Sequence, residues 1–168
     1  MLGQASRILI ALLVGYSYFE MKTNLPGTAA DSSSAIAVRV LLGIQFLGSI
    51  LFFAIPYFPP EMIHFGWRRL SDYTPKQLER IMPLVRDMAG LMGLLFGLFF
   101  TARIHLQLGQ ANSTQPREVA QQISGLMPWM TGGLIVGETL IVLYYVSRFD
   151  AEAKKSSEPY HIPDEPGF

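Results

Sequence analysis

Four long apolar stretches alternate with shorter polar ones, and this rhythm predicts helices that cross a membrane. A span needs about 20 mainly apolar residues to cover a hydrocarbon core roughly 30 Å thick. Such stretches fall at residues 3–21, 35–57, 84–104 and 126–146. The expected fold is therefore all-α: an integral membrane four-helix bundle over residues 1–148. The remainder, 149–168, is charged and interrupted by Pro159, Pro163 and Pro166, and reads as a flexible cytoplasmic tail. The first stretch also matches the layout of a secretory signal peptide, with Arg7 ahead of Ile8–Gly15 and Thr28-Ala29-Ala30 as a cleavage site. The distance from apolar region to cleavage site is long for that alternative.

Between the second and third spans the pattern changes. Thr74, Pro75 and Gln77 fit a capping box with proline at the first helical position. Leu78, Ile81, Met82 and Val85 then recur at helical spacing, while Lys76, Glu79 and Arg80 face elsewhere. Pro83 removes a hydrogen bond to the Glu79 carbonyl, so a kink is expected there. The prediction is a short amphipathic interfacial helix before the third span. Residues 105–125 read as a polar loop.

Charge gives an orientation. Only 15% of residues are charged, against roughly 25% in soluble domains. The net charge is zero, which points away from nucleic acid as a partner. With four spans, Arg7, Arg68, Arg69, Lys76, Arg80, Arg86, Arg148, Lys154 and Lys155 share one side. Lys22, Arg39, Arg103 and Arg117 share the other. The excess of basic residues on the first side places both termini in the cytoplasm. Trp67, Arg68, Arg69 and Trp129 are expected as anchors at the lipid interface, with a bacterial cytoplasmic membrane as the setting.

Candidate chemistry is sparse. The chain has no cysteine, and no nucleophile–base set or metal-ligand cluster stands out, so neither an enzyme nor a cofactor is expected. His64 and His105 flank the third span at opposite ends and cannot share a haem. Glu138 lies mid-way along the fourth span, where a carboxylate costs on the order of 3 kcal/mol. Tyr145 lies on nearly the same face, and Gln45 sits at similar depth in the second span. These three form a candidate intramembrane polar site, to be read either as proton or ligand handling or as a hydrogen bond that fixes helix register. Gly90, Gly93, Gly97, Gly133 and Gly137 form small-residue rows suited to close helix packing, with the third span expected to lie on the fourth. Glu20 and Arg103 share a side and are an expected surface pair.

The loop FPPEMIHFGWRR, with Pro60, Ile63, His64 and Phe65, and Pro83-Leu84 opening the next span, resembles a loop found in certain small polytopic bacterial membrane proteins of unknown function. Some of these are related to SdpI-type bacteriocin-immunity proteins. The resemblance covers about 25 residues and implies only the class. The expected function is that of a non-enzymatic accessory or regulatory subunit, packing in the bilayer against a membrane partner or a second copy. A small transporter or channel-like protein using Glu138 is the alternative.

Overall fold

The computed structural model describes residues 2–25, 33–65, 68–113 and 116–157. The all-α class holds. Four long helices dominate: α1 (Leu2–Asn24), α2 (Ser33–Ala54), α3 (Pro75–Asn112) and α4 (Pro116–Ser157). Between α2 and α3 the chain makes short 3-10 turns and one minimal hairpin, β1 (His64–Phe65) against β2 (Arg68–Arg69), with His64 opposite Arg69. Helices α2, α3 and α4 are long and apolar enough to cross a membrane; α1 is not among them.

The helices run further than hydropathy suggested. α3 continues unbroken through Pro83, so the expected separate interfacial helix is not a distinct element. Proline forfeits one hydrogen bond at that point, whereas the turns before it are held from several sides. The capping box is present, with Thr74 N donating to Gln77 Oε1 at 2.9 Å and Gln77 N to Thr74 Oγ1 at 3.4 Å. Gln77 Nε2 donates to the Ala153 carbonyl at 3.2 Å, and the Tyr73 hydroxyl to Asp150 Oδ1 at 3.1 Å. The stretch read as a polar loop at 105–125 is helical to Asn112 and again from Pro116. The tail read as flexible from 149 is the end of α4 as far as Ser157, with Phe149 and Ala153 buried. Residues 158–168, with His161, lie outside the described residues, as does the Thr28-Ala29-Ala30 segment.

α3 is the hub. It packs against each of the other three helices, while α1 and α2 touch each other only lightly and α4 has its extensive contact with α3 alone. Two apolar cores mark its ends. Near its start, Ile63, Leu70, Ile81, Val85, Met88, Tyr145, Phe149 and Ala153 join the α2–α3 connection to α3 and α4. Near its finish, Val38, Ile104 and Leu108 join α2 to α3, with Met21 and Leu25 of α1's end alongside.

Candidate functional site

The small residues of α3 face α1 and α2. Gly90, Gly93 and Gly97 are all buried. A Cβ on Gly93 would come within 2.9 Å of both Ile10 Cδ1 and Phe52 Cβ, and one on Gly97 within 3.3 Å of Leu13 Cδ1. This corrects the expected use of the third span's row, which does not serve contact with the fourth. In return, Gly48 of α2 admits the Phe96 ring, 2.3 Å from where its Cβ would stand.

The same face carries a polar seam. Gln45 is fully buried, and its Nε2 donates to the Gly97 carbonyl at 3.2 Å and to Thr101 Oγ1 at 2.9 Å. Thr101 also hydrogen-bonds the buried Ser17 hydroxyl at 3.1 Å. The Ser49 hydroxyl, one turn along α2, donates to the Gln45 carbonyl at 2.7 Å. Three helices are thus stitched at one level by three polar side chains, Gln45, Thr101 and Ser17, while the Ser49 bond stays within α2. Interhelical hydrogen bonds of this kind are worth about 0.6 kcal/mol on average in an apolar setting. Gln45 Oε1 is buried without a partner among the described residues.

Glu20 pairs differently from expectation. Its buried carboxylate takes a hydrogen bond from His105 Nδ1, not a contact with Arg103. Two positions separate Arg103 from His105, and at 100° per residue that is about 200° around α3. Arg103 therefore points away from α1. The other carboxylate oxygen, Oε2, is buried without a hydrogen-bond partner among the described residues. At the opposite end of α1, Arg7 donates to the Tyr57 hydroxyl at 3.3 Å and lies 5.6 Å from the centre of its ring.

Glu138 and Gln45 are not brought together. Gly137 meets Leu95 of α3, whereas Gln45 meets Gly97 and Thr101. Leu95 and Gly97 are again two positions apart, so they lie on opposite sides of α3. Tyr145 does lie on Glu138's face of α4, seven residues on, and it is buried in the core with Phe149. Glu138 itself is half-buried, and no hydrogen bond or ion pair among the described residues reaches it. The candidate polar site is therefore two separate features: an interhelical hydrogen-bonded seam at Gln45 and, among the described residues, a solitary carboxyl at Glu138.

α4 turns its other side outward. No residue in its most apolar stretch is buried, and Trp129, Val136, Leu140 and Leu143 are exposed. Gly133 belongs to this side. A Cβ there would meet nothing within 4 Å, so it takes no part in packing within the chain, and the same holds at Gly132. Gly137 does pack, with Leu95 Cδ2 at 2.7 Å from its Cβ position. Of the other expected anchors, Arg69 is exposed, while Trp67 and the Arg68 side chain lie outside the described residues. Among the described residues no three histidine, aspartate or glutamate side chains cluster to hold a metal. No family model, curated protein or solved structure matches this chain.

Proposed function

We propose that this is a non-enzymatic integral membrane protein, an accessory or regulatory subunit that packs against another membrane protein through the outward face of α4. In this reading all four helices cross a bacterial cytoplasmic membrane, with both termini in the cytoplasm. The inclusion of α1 is supported by its packing: Ile10 and Leu13 lie against Gly93 and Gly97, in the apolar middle of α3.

The observation that carries the proposal is the state of α4. It is joined to the rest of the chain along one seam, and its uncovered face contains two glycines that touch nothing. Where lipid offers no hydrophobic drive, helices associate through close backbone approach at small residues. A face destined only for lipid has no use for glycine, which costs about 0.5–1 kcal/mol relative to alanine inside a helix.

Mild-detergent pull-down from native membranes is the test, with Gly133→Leu as the control variant. Wild type should recover a membrane partner, or a second copy, in fixed ratio. Gly133→Leu should lose it while remaining folded, since the added side chain enters open space. Identical recovery by both, or no recovery by wild type, contradicts the proposal.

One observation favours the transporter reading instead: a carboxyl half-way along an apolar helix, with no hydrogen-bond or ion-pair partner among the described residues. Loss of a proton-dependent uptake in Glu138→Gln would support it. The separation of Glu138 from Gln45 leaves that carboxylate without the second polar group first expected beside it.

A further inference from the structure

α1 and α2 both lean on α3 but diverge from each other, leaving a groove of about 700 Å³ along their outer side. That volume lies within the roughly 300–1,000 Å³ common to small-molecule sites. The walls include Tyr18, Phe46 and Phe53, and Arg39 lines one end. Two glycines, Gly15 and Gly43, also line it, and a Cβ on either would meet nothing within 4 Å. These glycines open space without serving any contact in the chain. The groove's polar lining is slight. Ser49 reaches it, but its hydroxyl proton is committed to the Gln45 carbonyl.

Arg39 is the charged residue of the groove's lining, and it stands at one end; at the other, Arg7 lies outside the lining, 6.0 Å from the centre of the Phe53 ring and hydrogen-bonded to Tyr57. Arg39 is exposed and has no partner among the described residues. Lys22 lies with its Nζ 5.8 Å from the centre of the Tyr18 ring, which places a second cation at the same end. The nearby carboxylate, Glu20, is turned inward to His105. An apolar trough with two cations at its mouth is complementary to an anionic amphiphile.

Shape separates a hydrocarbon chain from a helix. From Arg39 to Phe53 the rise is roughly 21 Å at 1.5 Å per residue. Spread over that length, the volume of about 700 Å³ gives a cross-section of roughly 33 Å². A slot this narrow takes an extended hydrocarbon chain within it, whereas a helix about 10–12 Å across would lie over it.

We propose that this groove holds the acyl chain of an anionic membrane phospholipid, with Arg39 and Lys22 against its headgroup. The proposal rests on α1 lying in the bilayer, as in the reading above, but not on α4 having a partner.

Native mass spectrometry of the full chain, with added phosphatidylglycerol or phosphatidylcholine of identical acyl chains, tests it. Phosphatidylglycerol should be retained as a one-to-one adduct in preference to phosphatidylcholine. Arg39→Gln should weaken that retention about fivefold, the factor matching about 1 kcal/mol per basic residue at an anionic surface. Gly43→Leu, which fills the groove, should abolish retention of both lipids without lowering the unfolding temperature of the lipid-free protein. Equal retention of the two lipids, retention that survives Gly43→Leu, or a protein chain bound in the lipid's place would overturn the proposal. A Gly15→Cys variant in intact vesicles distinguishes the underlying reading. Labelling by a water-soluble maleimide would show that α1 is outside the bilayer. Protection from labelling, combined with no lipid preference, would refute the lipid alone.

Discussion

The two faces of α3 solve the same packing problem by opposite means. Toward α1 and α2 it presents Gly90, Gly93, Gly97 and Thr101, and the neighbours' large side chains come to it. Toward α4 it presents Ile81, Val85 and Met88, which meet Tyr145 and Phe149 in a layer of large side chains. The first face brings backbones close enough for Gln45 to reach the Gly97 carbonyl. The second fills the interface with large side chains and, among the described residues, leaves Glu138 without a hydrogen-bonding partner. Buried polar side chains stitch the first side at its middle; the second is built of bulk, with its α3–α4 hydrogen bond at the helix ends, from Gln77 to the Ala153 carbonyl, and a solitary carboxyl at Glu138.

The two seams should therefore fail in opposite directions. Removing bulk should be worst at the α4 seam. Phe149 is 1% exposed, and Phe149→Ala should cost about 3–5 kcal/mol, read as a loss of unfolding free energy in detergent. A change below 1 kcal/mol would mean that this core is not packed as described. Adding bulk should be worst at the glycine seam. Gly93→Leu forces a side chain between Ile10 and Phe52, and the expected cost is about 1–3 kcal/mol. Gly133→Leu, the same change on α4's open side, should leave unfolding within about 0.5 kcal/mol of wild type. If the two glycine variants behave alike, the distinction between packed and unpacked rows is wrong.

Much of this fold was legible in the apolar pattern. Helix positions followed from it, and the Thr74–Gln77 capping box from local spacing alone. What hydropathy could not give was helix length. His105, Gln107 and Gln110 look like loop residues in a polar run, yet glutamine is a good helix former and a single Gly109, at about 1 kcal/mol, is too weak to stop α3 before Asn112. Ala151 to Lys155 likewise reads as a charged tail, but Ala153 and Phe149 give that segment an inward face and Glu152 pairs with Lys155 at 2.7 Å.

The candidate site failed for a geometric reason. Gln45 and Glu138 were matched by depth in their spans, and depth says nothing of azimuth. Which side of α3 each neighbour takes is a tertiary property. Once α1, α2 and α4 are placed, a two-residue offset on α3 decides which groups meet. The same offset explains why Glu20 finds His105 and not Arg103.

Paired cysteines test the two-sided hub most directly, because the native chain contains none. In native membranes, a short bis-maleimide should join Leu95→Cys to Gly137→Cys, and Leu13→Cys to Gly97→Cys. It should not join Gln45→Cys to Glu138→Cys, since the body of a helix, about 10–12 Å across with its side chains, lies between them. Efficient cross-linking of that last pair within one chain would place the polar groups on a common side and contradict the account.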